Sequence, residues 1–286
     1  MEIIRQLDLS RLVRAALAED VGQGDITTAA TVATGQAGLA RVTVKEPEGI
    51  IFCGGFMIEQ VFAMSGGAPC VRVLAREAQV LRNGALAAEI EGKLAGLLIG
   101  ERTALNFAQL MSGIATVTRR YVDAIAGTRA KIIDTRKTHP GLRAIEKYAV
   151  RCGGGTNHRF GLDSGVLIKE NHIAAAGGIR PALERVRALA PHTLRIQIEC
   201  ETLSQVEEAL AAEATSILLD NMSLDQLRQS RRIAGEKVLL EASGGVTLDS
   251  VRAIAETGVD RISVGALTHS VEALDISMRV APPLPR

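Results

Sequence analysis

Aromatic side chains are scarce in this 286-residue chain, which has five Phe, two Tyr and no Trp. Proteins that bind single-stranded nucleic acids stack bases on aromatic rings, so this scarcity argues against such a surface. An excess of one charge is also absent, because 33 Lys and Arg face 32 Asp and Glu. That balance argues against a polybasic nucleic-acid or membrane binder. Any anion that the protein binds must therefore meet a local cluster of positive side chains.

Cysteines and long apolar runs are equally sparse. Cys53, Cys70, Cys152 and Cys200 lie 17, 82 and 48 residues apart, with no CxxC motif. We interpret them as packing residues in a reduced chain. The most apolar stretch, around residues 94–99, is far shorter than the roughly 20 residues of a membrane span, and acids interrupt the apolar residues of the amino terminus, unlike in a secretory signal. We expect a cytoplasmic protein with no membrane segment.

Hydrophobic residues make up 47% of the chain, which is enough for a large core. The first third predicts an amphipathic helix from about Ser10 and strands near residues 39–45 and 71–76, a small α/β layer. A helical pattern then covers residues 97–126. We place the domain boundary in this helix, which gives domains over residues 1–112 and 113–274, with residues 275–286 joining the first.

Short β-branched runs recur in the second domain and indicate a βα repeat. The runs near Ile196, Leu218, Leu239 and Ile262 are 22, 21 and 23 residues apart, which suits one strand, one helix and two short loops. Two earlier runs bring the number of strands to six. Buried runs that alternate with helices indicate a parallel sheet, closed or nearly closed into a barrel. A complete barrel has eight strands, so either two strands are cryptic or the barrel is incomplete; an open doubly wound sheet is the alternative.

Polar residues follow all six strands. In a parallel barrel the carboxyl ends of the strands meet at one mouth, where active sites lie. Any one of these residues could be a solvated loop charge, but six polar ends together indicate a shared site. The polar ends include Asp134, Arg136, Lys137, His139, Lys169, His172, Glu199, Glu201, Asp220, Asn221, Ser243, Gly244, Gly265 and His269.

Two glycine motifs close the last two strands, at residues 243–245 and 264–266. Barrels of this type often bind a phosphate there, through backbone N–H groups and a helix N-terminus. Glycines that merely permit tight turns are the alternative. Glu199 and Asp220, on neighbouring strands, suit Mg²⁺ bound to a phosphorylated substrate. The residues leave open a second interpretation, in which Lys137 or Lys169 neutralises a buried acid pair.

Positive side chains are concentrated near the same strand ends. The glycine-rich loop at residues 153–159 delivers an imidazole and a guanidinium, and arginine matches carboxylates through its bidentate fork. The pattern therefore predicts a polyanion site. The positive and titratable groups are Arg102, Arg136, Lys137, His158, Arg159 and Lys169.

A series of motifs in the chain resembles the quinolinate phosphoribosyltransferase family. The likeness covers nearly the whole sequence, in the expected order. The motifs are EDVGQGDITT (19–28), ERTALNFAQLMSGIAT (101–116), DTRKTHPGLR (134–143), GGGTNHRFGL (153–162), LIKENHI (167–173), ECE (199–201), LLDNM (218–222), EASGG (241–245) and VGALTHS (264–270). The family usually has an aliphatic residue where this chain has Cys200, a small change.

The resemblance implies a fold and a reaction. The expected fold is an amino-terminal α/β sandwich plus an incomplete, TIM-like α/β barrel. The expected reaction is Mg²⁺-dependent transfer of the phosphoribosyl group of 5-phosphoribosyl-1-pyrophosphate to quinolinate. It yields nicotinate mononucleotide, pyrophosphate and CO₂ in NAD biosynthesis. The resemblance also implies a homodimer, or a multiple of one, in which Arg102 completes the neighbour's site.

Roles carry over position by position from the same resemblance. The quinolinate carboxylates would be held by Arg102, Arg136, His158, Arg159 and Lys169. The phosphoribosyl pyrophosphate would contact Lys137, Glu199, Asp220, Ser243, Gly244, Gly265 and His269. We expect catalytic roles for Lys137, Lys169, Glu199 and Asp220, and metal binding by Glu199 and Asp220.

Three other functions compete with this one. The first is a phosphoribosyltransferase-like paralogue of the type associated with molybdenum transport, with a different ligand. The second is a Schiff-base lyase that uses Lys137 or Lys169, although such lysines prefer a less cationic setting. The third is a non-catalytic phosphosugar-binding protein, which would not need the acid pair beside the glycine motifs.

Overall fold

The computed structural model describes residues 8–281, which divide into two compact units. The first unit contains residues 8–117, 139–154 and 270–281, and the second contains residues 118–138 and 155–269. The sequence-based expectations for residues 1–7 and for residues 282–286 lie outside the described residues.

The first unit is built on an antiparallel sheet of four strands, which lie in the order β12 (Ile276–Ala281), β1 (Ala37–Val44), β5 (Leu86–Lys93) and β3 (Cys70–Val73). Along β1 every second residue is buried, among them Ala40, Val42 and Val44, so one face of the strand packs into a core. The strands are β1 (Ala37–Val44), β2 (Ile50–Ile51), β3 (Cys70–Val73), β4 (Val80–Leu81), β5 (Leu86–Lys93) and β12 (Ile276–Ala281), with β2 paired to β4. The helices are α1 (Ser10–Val21), α2 (Ile26–Thr31), α3 (Gly55–Met64) and α5 (Arg143–Cys152).

A single helix of 31 residues, α4 (Leu94–Ala124), contains the division between the units at Val117. The helix lies close to the predicted span of 97–126. Its apolar residues at helical spacing, including Leu97, Leu105 and Ile114, are buried. Within residues 8–281, no helix combines the length and the apolar character needed to cross a membrane.

The second unit contains a six-stranded parallel sheet, with one strand for each predicted run. Its strands are β6 (Lys131–Ile133), β7 (Val166–Ile168), β8 (Ile196–Cys200), β9 (Ser216–Asp220), β10 (Leu239–Ser243) and β11 (Arg261–Ser263). Its helices are α6 (Glu170–Ala176), α7 (Ile179–Leu189), α8 (Leu203–Ala211), α9 (Leu224–Ala234), α10 (Leu248–Ala255) and α11 (Ala266–His269). The side chains of Thr202, Ser223 and Thr247 cap α8, α9 and α10, which explains why these helices begin shortly after their strands.

The strand order β6-β11-β10-β9-β8-β7 decides between the predicted topologies. From β7 to β11 each new strand joins the same edge of the sheet, and β6 follows β11. A doubly wound sheet would reverse direction at a switch point, so this alternative is wrong. Among the described residues no strand pair joins β6 to β7, and the predicted fold class, an α/β chain with an incomplete barrel, is confirmed.

Candidate active site

A cavity of about 550 Å³ lies at the carboxyl ends of the strands in the second unit. Eleven of the twelve predicted site residues line it, so the parallel strands bring these side chains together as expected. They are Arg136, Lys137, His158, Arg159, Lys169, Glu199, Asp220, Ser243, Gly244, Gly265 and His269. The twelfth, Arg102, lies in the first unit, where it is exposed on α4.

Two arginines of the cavity lie close together. Burial lowers the pKa of Arg159, and the neighbouring Arg136 charge lowers it further. One arm of the Arg159 guanidinium is fixed, because Nη1 donates to the Gly165 carbonyl at 2.9 Å. Two like charges held close together in a partly buried wall favour an anion between them. Their forked donors suit carboxylates in particular.

Two carboxylates of the cavity wall, those of Glu199 and Asp220, lie close to a third, that of Glu201. Glu199, Glu201 and Asp220 each offer an oxygen, and the three oxygens lie within 4.8 Å of one another. Burial raises the pKa of Glu199, and the charges of Asp220 and Glu201 add to the increase, whereas Lys169 opposes it from 3.5 Å. Oxygen donors at this spacing fit the ligand preference of Mg²⁺. The predicted metal site did not include Glu201, although alternation along a strand places residues 199 and 201 on the same face.

Glycines at the two strand ends leave room for other side chains. Gly244 has φ +100°, and a Cβ there would overlap the Asn221 Oδ1 atom. At Gly265 a Cβ would lie 3.0 Å from His269 Nε2 and 3.2 Å from Lys137 Cδ. Gly265 therefore lets a lysine and a histidine pass close to the backbone at the cavity wall.

Hydrogen bonds with other residues hold the backbone of both cavity lysines, Lys137 and Lys169. The Thr268 hydroxyl donates to the Lys137 carbonyl at 2.7 Å, and Lys137 N–H donates to Thr135 Oγ1 at 3.0 Å. Lys169 stands at the start of α6, where its N–H donates to His172 Nδ1 at 2.9 Å. His172 thus acts on the backbone that carries Lys169.

Some of the polar residues that follow the strands do not line the cavity. His139 belongs to the first unit, where its Nδ1 lies 2.5 Å from Glu146 Oε1. Asp134 is fully buried and accepts hydrogen bonds from His158 N–H at 2.8 Å and from Asn157 Nδ2 at 2.6 Å. It therefore holds the loop that carries His158.

Comparison with known families covers nearly all of this chain. Residues 25–112 match the family described as "Quinolinate phosphoribosyl transferase, N-terminal domain", and residues 114–279 match the corresponding C-terminal domain. The chain is 44% identical to a probable nicotinate-nucleotide pyrophosphorylase [carboxylating] of Bacillus subtilis, covering 97% of this chain and 95% of the relative. It is 46% identical to the Mycobacterium leprae enzyme of that name, covering 93% and 95%.

Solved structures give the same result. A nicotinate-nucleotide pyrophosphorylase from Francisella tularensis superposes with a TM-score of 0.89 at 40% identity, covering 96% of each chain. The structure from Ehrlichia chaffeensis has a TM-score of 0.90 at 39% identity, covering 96% of this chain and 99% of that one. With both domains matched in order, this chain belongs to the quinolinate phosphoribosyl transferase family.

Proposed function

We propose that this protein transfers the phosphoribosyl group of 5-phosphoribosyl-1-pyrophosphate to quinolinate, with decarboxylation, to give nicotinate mononucleotide, pyrophosphate and CO₂. One observation carries the proposal. A single cavity places an arginine pair, suited to a dicarboxylate, beside a carboxylate cluster and two glycine turns, suited to a metal-bound phosphate ester. The name of the relatives from Bacillus subtilis and Mycobacterium leprae, nicotinate-nucleotide pyrophosphorylase [carboxylating], fits this reaction.

Different side chains of the cavity act on the two substrates. Arg136, Arg159 and Lys169 hold the two quinolinate carboxylates and so aim the ring nitrogen at the anomeric carbon. A bond forms between that nitrogen and that carbon as the bond to pyrophosphate breaks, and Lys137 offsets the charge growing on the leaving group. The ring nitrogen is then cationic. As CO₂ departs, the electron pair of the broken bond stays on the neighbouring ring carbon, where the positive nitrogen stabilises it, and that carbon then takes up a proton.

Magnesium is part of the proposal. Glu199 and Asp220 would hold the ion, with Glu201 beside them, because their oxygens lie within 4.8 Å of one another. Bound Mg²⁺ would neutralise negative charge on the pyrophosphate group. The alternative role of the acids, pairing with lysine, is also present, because Lys169 Nζ lies 3.5 Å from Glu199 Oε2. The same carboxylate can pair with a lysine and bind an ion.

We also propose a homodimer and a cytoplasmic location. Arg102 is exposed on α4 and so is available to a second copy of the chain, whose cavity it would complete. The four cysteines are unpaired, as a reducing compartment would keep them.

Turnover tests the proposed reaction directly. Purified protein is incubated with 5-phosphoribosyl-1-pyrophosphate and either quinolinate or nicotinate, with and without Mg²⁺, and pyrophosphate and CO₂ are measured. We expect pyrophosphate and CO₂ to be released in equal amounts, and only when both quinolinate and Mg²⁺ are present. No release with either acceptor would assign this chain to the paralogue with a different ligand.

Mixed dimers test the shared site. Arg102→Ala and Lys137→Ala homodimers should each be nearly inactive. Mixing and reassembling them should restore activity, because some dimers then contain one cavity with both residues intact. If mixing restores nothing while exchange of subunits is demonstrated, Arg102 does not act in the neighbour's cavity.

A further inference from the structure

A buried carboxylate lies beneath the candidate active site, and none of the predicted roles includes it. Glu241 is on β10 and is fully buried, although it also borders the cavity. Because side chains alternate along a strand, Glu241 shares a face with Ser243, and Gln197 on β8 shares a face with Glu199. Glu241 and Gln197 thus form a layer one step below the predicted substrate contacts.

The Glu241 carboxylate accepts hydrogen bonds at both oxygens. The Ser263 hydroxyl donates to Oε1, and Gln197 Nε2 donates to Oε2 at 2.9 Å. A carboxylate of this kind only accepts, so the NH₂ group of the Gln197 amide must face it. The amide oxygen of Gln197 is then turned to His158, where it lies 3.2 Å from the ring Nε2 atom.

The protonation pattern of His158 follows from both sides of its ring. The Gln197 oxygen can only accept, so Nε2 must carry the proton, and Glu241 Oε1 lies 3.6 Å from the same nitrogen as a second acceptor. On the opposite side, Arg159 N–H donates to His158 Nδ1 at 2.7 Å, so Nδ1 must be unprotonated. The contacts agree on one neutral tautomer. A second proton on Nδ1 would face the Arg159 N–H group.

We propose that Glu241 is a positioning residue, which acts through Gln197 to hold His158 as the neutral Nε2–H tautomer with its ring fixed in the cavity wall. The effect on catalysis rests on the proposed function and on the predicted contact between His158 and quinolinate. An uncharged His158 ring forms part of the same cavity wall as Arg136 and Arg159 without adding a third positive charge to the two guanidinium groups. The positive charge that meets the dicarboxylate then comes from Arg136, Arg159 and Lys169.

The tautomer can be measured without turnover. A long-range ¹H–¹⁵N spectrum of the full chain labelled with ¹⁵N-histidine distinguishes protonated from unprotonated ring nitrogens, and a His158→Gln variant identifies the His158 signals. We expect Nε2 protonated and Nδ1 unprotonated in the unmodified protein. In Glu241→Leu no carboxylate is left for the Gln197 NH₂ group, so Gln197 can turn round and face Nε2 with that group, and the fraction of His158 in the Nδ1–H tautomer should rise. A proton on Nδ1 in the unmodified protein would overturn the proposal.

Matched variants separate positioning from general damage. Ser263→Ala removes the other hydrogen bond to Glu241 and should keep the Nε2–H tautomer. Gln197→Met breaks the link with Glu241 in place, should also raise the Nδ1–H fraction, and serves if Glu241→Leu does not fold. Glu241→Leu should raise KM for quinolinate by about tenfold or more, with a smaller change in KM for 5-phosphoribosyl-1-pyrophosphate. An unchanged tautomer and KM would contradict the proposal, whereas a correct tautomer without any turnover would count against the proposed reaction alone.

Discussion

Each unit of the molecule contains one cluster of described residues that could bind a metal ion, and the two clusters differ in burial and in partners. Cys53, Glu77 and Cys152 form the cluster of the first unit, which we call the thiol cluster. Glu199, Glu201 and Asp220 form the cluster of the second unit, the acid cluster. In both, the ligand atoms lie within 4.8 Å of one another.

Burial and competing partners distinguish the thiol cluster. Both cysteines are buried, and burial raises the pKa of the Cys53 thiol well above its usual range. A protonated thiol is a poor ligand. Glu77 is already engaged, since it accepts hydrogen bonds from Gly54 N–H at 3.1 Å and Gly55 N–H at 2.8 Å, at the start of α3.

The acid cluster is open to a cavity and retains ligand capacity. Its members are half-buried or exposed, and two of them line the cavity wall. Residue type and proximity alone therefore do not distinguish the two clusters. Access, and what else the ligand atoms already bind, separate a cluster engaged in packing from one that could accept a ligand.

The largest effect is expected at Arg136, which lines the same cavity as two members of the acid cluster. Arg136→Ala should weaken quinolinate binding by about 2–5 kcal/mol, because it leaves a desolvated carboxylate unpaired. Titration calorimetry measures this loss directly. Arg228→Ala is the matched control, since Arg228 pairs with the exposed Asp225 on α9, and it should bind normally. Unchanged binding in Arg136→Ala would remove this residue from the site.

A parallel pair of variants tests the contrast between the clusters. Glu199→Gln should raise the Mg²⁺ concentration needed for half-maximal activity by about 10- to 100-fold, the scale for altering a metal ligand or its neighbours. Glu77→Gln should leave that concentration unchanged. Activity assays across a Mg²⁺ series provide the comparison. Equal shifts in both variants would abolish the distinction between the clusters.

Glu77→Gln, which should not change the Mg²⁺ requirement, should instead lower the stability of the fold. Glu77→Gln weakens the acceptor that receives two backbone N–H groups, so the free energy of unfolding should fall by about 1–3 kcal/mol. Urea unfolding measures the change. The matched reference is Glu207→Gln, at an exposed position of α8, which should be neutral. A Glu77→Gln variant as stable as this reference would show that the carboxylate is not needed at α3.

The smallest effect concerns the pH dependence of Glu199. Because its pKa is raised, the folded chain binds this proton more tightly than the unfolded chain does, and ionisation of Glu199 costs stability as the pH rises above about 4.3. Glu199→Gln should therefore stabilise the protein at pH 7, by about 0.5–2 kcal/mol, while lowering activity. Thermal unfolding at pH 7 and near pH 4 tests this. A gain that persists at the lower pH would have another cause.

Much of the fold could be predicted from the sequence because the βα units repeat at regular spacing. The six strands, the long helix and the family were predicted from runs such as residues 216–220 and from motifs that lie at strand ends, and the fold class and family are confirmed. The roles assigned to individual site residues stay predictions, although eleven of the twelve residues line one cavity.

The remaining features depend on contacts between distant residues. In the sequence Glu241 is one charged residue in an apolar strand, and only the packed sheet places it against Gln197 and Ser263. Likewise, no local pattern brings Cys53 next to Cys152, since they come from distant parts of the chain. Periodicity gives the face of a strand but not the partner across the sheet.

The most direct test of the central claim follows the carboxylate that is lost. Quinolinate labelled with ¹³C in the carboxylate next to the ring nitrogen, or in the other carboxylate, is supplied with 5-phosphoribosyl-1-pyrophosphate and Mg²⁺. The account predicts that label from the first position appears as CO₂ in equal amount to pyrophosphate, and that label in the second stays in the nucleotide. Pyrophosphate release without labelled CO₂ from the first position would contradict it.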